Sequence, residues 1–160
     1  MGLRVSGKNA LVQLQRGSGD EFDISGVDTD GRSRANAFEF TITPEMARAM
    51  GFNEDWKEPV PLGQREVAGS MTVFYNSAAD EVEDYLWTMH EEQHAPSACS
   101  DPQEYTMYVM PEGNCAGKTK YTITNVVLED LPFVFNPSEI SAISFTWSGW
   151  QVSKATITGE

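Results

Sequence analysis

Residues 36–43 read NAFEFTIT. Phe38, Phe40 and Ile42 alternate with Glu39, Thr41 and Thr43, a period of two that only an extended strand turns into one apolar face and one polar face. REVAGSMTVFYN (65–76) repeats the pattern. Met71, Val73 and Tyr75 share one face, and Ser70, Thr72 and Phe74 the other. Shorter runs of the same kind are NALVQLQ (9–15), EFDIS (21–25), YTMYVM (105–110), KTKYTITNVVLEDL (118–131) and EISAISFTWSGW (139–150). Turn cues separate them: Gly-Ser-Gly after NALVQLQ, Asp-Gly within DTDGRS (28–33), and PEGNCAGK between YTMYVM and KTKYTITNVVLEDL. A Pro-bounded PFVFNP (132–137) leads into the last strand.

One helix interrupts the strands, expected over about 77–92. Ser77 is placed as its N-cap, with Asp80 completing a capping box. Asp80, Glu81, Glu83 and Asp84 put negative charge at the positive end of the helix dipole. Val82, Tyr85, Leu86 and Met89 fall at i, i+3, i+4 and i+7, a single stripe suited to lying on a sheet. Pro96 ends the element.

Residues 44–64 carry three prolines and two glycines and read as a long inter-strand loop, with a short helix over PEMARAM stopped by Gly51. Loops of this length usually have a function, and this one carries Phe52, Trp56 and Leu62. The polar tail QVSKATITGE (151–160) reads as an arm. The whole, 1–160, is expected to be one domain with short terminal arms: mainly antiparallel β, as a sandwich or a curled sheet, with one flanking helix.

Charge narrows the function. Eleven Lys and Arg face twenty-four Asp and Glu, a net charge of −13. Wrapping nucleic acid needs clustered cations, and anionic lipid would repel such a chain. No run is long and apolar enough to span a bilayer, and the N-terminus lacks the pattern of a secretion signal, so folding in a cytoplasm is expected. Cys99 and Cys115 flank the strand 105–110, which would hold them about 20 Å apart, too far for a disulfide unless the loops fold back.

His90-Glu91-Glu92-Gln93-His94 matches the H-E-x-x-H pattern of zinc hydrolases, in which two histidines one turn apart bind zinc and the glutamate acts as base. Against that reading, these are the only histidines. A third ligand would have to be a carboxylate such as Glu104, Glu112 or Glu129, and the motif sits at a helix end beside a proline. Catalytic zinc ligands need a rigid surround. A second alternative is a monomeric carbohydrate-binding module using Trp56, Trp87, Trp147 and Trp150; packing is the commoner use of tryptophan. Neither a nucleophile elbow nor a phosphate-cradling loop is present.

GKNALVQLQRGSG, DISG, the Trp-bearing loop, GSMTVFYNSAADEVEDYLW, YVMPEG with GKTKYTITNVVLEDLPF, and ISAISFTWSGW resemble, in this order, the tail tube (major tail) protein of long-tailed bacteriophages. The resemblance covers nearly the whole chain and lies in layout rather than in a sharp motif. It implies a β-sandwich with a flanking helix that assembles into stacked rings, usually hexameric, with strands of neighbours joined in an inner barrel that conducts DNA into the host. It implies no catalysis, cofactor or metal. The implied partners are copies of the chain itself, a tape-measure protein and other tail proteins, in the virion tail after assembly in the host cytoplasm. The acidic stretch 90–103 departs from that layout. Under this resemblance the polar positions Glu39, Thr41, Glu66, Ser70 and Thr72 are expected to face the lumen, and Phe52, Trp56 and Leu62 to reach the next ring.

Overall fold

The computed structural model describes residues 9–27, 31–52, 55–76, 81–95, 103–135, 137–138 and 140–158. Strands β1 (Leu11–Arg16), β2 (Glu21–Asp23), β3 (Ala35–Ala49) and β4 (Glu58–Phe74) precede helix α1 (Val82–His94). Then come β5 (Tyr105–Met110), β6 (Thr119–Thr124), β7 (Val127–Leu128), β8 (Ala142–Gly149) and β9 (Gln151–Thr156). They form two antiparallel sheets, one ordered β2-β1-β5-β6-β9 and the other β3-β4-β8-β7. The fold is the mainly β architecture with one helix that the alternation predicts.

Burial follows the period of two. Val12, Leu14, Met107, Val109 and Ile123 come from the first sheet; Met71, Val73, Ile143, Phe145 and Trp147 come from the second. Across the second sheet the core-facing rows are Phe38–Met71–Phe145 and Phe40–Gly69–Trp147. Gly69 is required there: a Cβ would meet the Glu39 carbonyl oxygen and come 2.7 Å from Trp147 Cζ2. The glycine lets the Trp147 ring lie flat across the sheet, stacked on Phe38 with centroids 6.1 Å apart.

Four expectations need correction. Residues 44–64 are neither a loop nor a short helix: they are the outer half of a hairpin, because β3 runs on to Ala49 and β4 starts at Glu58. Pro44 lies on the edge strand β3, opposite Arg65 beside a bulge, where a missing donor is tolerated. Pro59 and Pro61 are two apart, so both occupy ladder positions that need no donor. β4 pairs with β8 only from Val67 onward, so the hairpin projects about 30 Å beyond that point. Second, the single strand expected over 118–131 is broken at Asn125, whose φ of 49° turns the chain from one sheet into the other. Third, residues 151–156 are no arm but β9, paired with β6 along its length. The two places where the chain changes sheets meet, since Trp150 N–H donates to the Thr124 carbonyl. Fourth, α1 starts at Val82 with Glu81 as N-cap residue and no side-chain cap; Ser77 and Asp80 lie outside the described residues, as do the N-terminal arm and Cys99. Cys115 is exposed with a free thiol.

α1 is fastened at both ends. Val82, Leu86 and Met89 are fully buried, while Tyr85 is half-buried and stacks on Phe22 at 4.5 Å. At the N-terminal end the buried Glu81 accepts from Arg34 Nε at 3.0 Å, and Arg34 also covers the Phe22 ring. Burial without a hydrogen-bond partner pushes the Tyr85 hydroxyl up to about 12. At the C-terminal end Glu92 accepts a forked pair from Arg16 at 2.9 Å, and bonds from Tyr105 Oη at 2.8 Å and Gln103 N–H at 3.1 Å. The Arg16 guanidinium above all holds the Glu92 carboxyl at about 2.

A carboxylate depressed on folding stabilises above its ordinary value of 4.5, and that stability is lost as pH falls from there toward about 2. Arg16 is half exposed, so solvent screens the pair. Glu92→Gln is therefore expected to cost about 1–2 kcal/mol at pH 7 and to flatten the loss of stability between pH 5 and 2. Urea denaturation across that range checks it; parallel curves for the two proteins would contradict it.

Candidate functional site

The second sheet turns its other face outward. There the register sets Ala37, Thr72 and Ser144 in one row, Glu39, Ser70 and Thr146 in the next, and Thr41, Ala68 and Ser148 in a third; Glu66 lies beyond, opposite Thr43. Glu39, Thr41 and Glu66 are exposed, and Ser70 and Thr72 half-buried. All five residues singled out in the sequence thus share one face. The side chains bond along the rows: Ser70 Oγ donates to Glu39 Oε1 at 3.0 Å, and Thr72 and Ser144 hydroxyls lie 2.9 Å apart. The sequence reading missed the contribution of β8, although ISFTWS alternates as plainly as NAFEFTIT. It also missed Glu129, which accepts from Ser148 Oγ. Glu39, Glu66 and Glu129 make this face anionic, and no Lys or Arg stands in its three rows. The outer face of the first sheet differs: Lys120 Nζ lies 4.3 Å over the Tyr108 ring.

The sheet's two edges are unlike. At β7, Gln93 Nε2 donates to the Val126 carbonyl and Gln93 Oε1 accepts from Leu128 N–H, both at 2.8 Å. His94 Nε2 lies 2.5 Å from the Leu128 carbonyl. The helix end thereby occupies the outward backbone groups of that strand. β3, the other edge, is 15 residues long, and among the described residues no strand lies beside its outward backbone groups in the sheet. Long open edges are liabilities unless another chain completes them.

The histidine motif is explained by the same contacts. Its members Glu92, Gln93 and His94 clasp α1 to β1, β5 and β7, and the His90 and His94 rings lie 4.5 Å apart. Among the described residues no three His, Cys, Asp or Glu side chains are grouped to hold a metal. Of the four tryptophans, Trp147 is buried in the core, so it cannot line a sugar-binding surface; Trp56 lies between β3 and β4, Trp87 on α1 and Trp150 between β8 and β9. On the hairpin, Phe52 (101% exposed), Trp56 (86%) and Leu62 (50%) present large apolar surface to solvent.

Because the polar rows face water, Glu39→Leu or Thr41→Ile should change stability by no more than about 0.5 kcal/mol. Phe145→Ala, on the opposite face of the same sheet, should cost about 3–5 kcal/mol. Thermal or denaturant unfolding of the three variants checks the register, and equal losses would contradict it.

No family model matches the chain, and no curated protein does. Solved structures do. A chain of the anti-feeding prophage baseplate, 6-fold symmetrised, aligns over 98% of this chain and 99% of that one, with 10% identity and a TM-score of 0.67. A chain of the tail of a gene transfer agent particle with C6 symmetry aligns over 94% and 97%, with 13% identity and a TM-score of 0.61. The SPP1 tail tube protein aligns over 98% and 81%, with 8% identity and a TM-score of 0.65. Each alignment spans nearly the whole of this chain at a TM-score above 0.6, so this chain has the fold of phage-like tail tube proteins.

Proposed function

We propose that the chain is a structural subunit of a phage-like tail, which self-associates into rings stacked as a tube. The observation that carries this reading is the second sheet. One face is core, the other is a continuous hydroxyl and carboxylate surface, and the long edge β3 is open. A sheet lining a water-filled bore needs that division of faces. In this reading Glu39, Thr41, Glu66, Ser70 and Thr72 line the lumen, with Ser144, Thr146 and Ser148 beside them. Carboxylates and hydroxyls without cations repel the DNA backbone and let it slide rather than bind. The face bearing Lys120 is then the outer one. Ring neighbours complete the open edge of β3, since the β7 edge is already closed by Gln93 and His94.

The hairpin tip reaches the next ring, with Phe52, Trp56 and Leu62 as its contact residues; interfaces concentrate their energy in such side chains. Six copies per ring are supported by the symmetry of the anti-feeding prophage and gene transfer agent assemblies. Tape-measure and other tail proteins are the expected partners, the virion tail is the location, and the role is mechanical rather than catalytic. Fold likeness alone does not carry function; the match between polar face, open edge and exposed hairpin does.

The test is sedimentation velocity at rising concentration with negative-stain microscopy of the purified chain. Rings and tubes are expected, and a chain that stays monomeric throughout contradicts the reading. Trp56→Ala is expected to fold normally and to yield far fewer tubes; a tube yield equal to that of the parent chain would remove the hairpin from ring stacking.

A further inference from the structure

Large apolar side chains are exposed at two opposite poles of this molecule. One pole is the hairpin, with Met46, Met50, Phe52, Trp56, Val60 and Leu62. The other gathers Val27, Trp87, Val134, Phe135 and Ile140, of which Ile140 is 79% exposed. The topology fixes the second group at the far end of β4. Ala142 pairs with Phe74, Tyr75 N–H donates to the Ser141 carbonyl, and Val134 bridges Ala142, so Val134, Phe135, Ile140 and Ser141 lie at the root of the β3–β4 ladder. Phe135 packs edge-on against Tyr75 at 5.2 Å, and Trp87 lies 6.2 Å from Phe133. Val27 joins them through its bridge to Ser33, just before β3 begins. From Trp56 to Tyr75 is 19 residues, an extended path of about 60 Å. The other exposed large hydrophobics among the described residues are Ile42 and Trp150, and both lie by Val67, where the hairpin leaves the sheet: Ile42 pairs with Val67, and Trp150 follows Gly149, the partner of Val67 on β8.

We infer that the root-end patch is the seat for the hairpin tip of a second copy of this chain. The inference rests on the stacked-ring reading and names the receiving surface. A contact that repeats along an axis must be heterologous, with a different surface at each end of the subunit. This chain carries a protruding apolar tip at one end of the strand axis and an apolar patch of aromatic and aliphatic side chains at the other. Exposed apolar patches of this kind mark interaction sites. Tip against tip or patch against patch would close into pairs and stop, whereas tip against patch continues.

The test uses two variants of the full chain, a tip variant (Phe52→Ser with Trp56→Ser) and a root variant (Phe135→Ser with Ile140→Ser). Circular dichroism establishes that each is folded, and Ile140→Lys alone serves if the root double variant is not. Negative-stain microscopy then counts ring layers. Each variant alone is expected to form single rings with at least a tenfold loss of stacks. Mixed in equal amounts, the intact tip of one meets the intact root of the other, and two-layer stacks that do not lengthen are expected. A folded root variant that stacks like the parent chain overturns the inferred seat and leaves the ring reading standing. Loss of stacking in both variants without rescue on mixing also overturns it. A parent chain that forms no rings overturns both.

Discussion

The structure depends on the division of one sheet into a dry face and a wet face. Phe38, Phe40, Met71, Phe145 and Trp147 lie on one side of β3, β4 and β8, while Glu39, Thr41, Ser70, Thr72, Ser144 and Thr146 lie on the other. Each buried aromatic removes apolar area from water, worth roughly 2–3 kcal/mol per side chain. A register slip of one residue would expose all of it and bury the carboxylates. The polar surface is therefore held in place by the core behind it. Gly69 refines this arrangement, since its missing side chain makes the room in which Trp147 lies.

Edges are the second consequence. A sheet with a polar outer face has no second layer over it, so its borders decide what it can join. The chain treats them differently. β7 is short, and side chains from α1 take its outward hydrogen bonds. β3 is long and continues into a hairpin that leaves the sandwich altogether. The same helix residues that resemble a zinc motif in sequence finish one edge in space: Glu92 anchors to Arg16 and Tyr105, and Gln93 and His94 reach β7.

What the sequence made legible was alternation. NAFEFTIT and GSMTVFYN carry both faces in their letters, and the helical stripe Val82, Tyr85, Leu86 and Met89 is as plain. Residues 44–64 were illegible for a physical reason. Proline and glycine punctuate chains in general, but they are tolerated on an edge strand and at ladder positions without donors, and such positions depend on a partner that sequence does not display. β9 was missed because QVSKAT is polar; as an edge strand it needs only one inward apolar residue, Val152, and a ladder with β6. The break at Asn125 gave one cue, an asparagine where φ turns positive, which is too common a residue to read alone. The polar face was legible on β3 and β4, and the letters ISFTWS carry one on β8 as well, but setting Ser144, Thr146 and Ser148 beside the others takes the observed register.

The central claim is that the polar face of the β3-β4-β8-β7 sheet bounds a bore. A cryo-EM reconstruction of the assembled chain tests it most directly. The account predicts that side-chain density for Glu39, Thr41, Glu66, Ser70 and Thr72 projects into the central channel. Density placing the five-stranded sheet, with Lys120 and Tyr108, around the channel would contradict it.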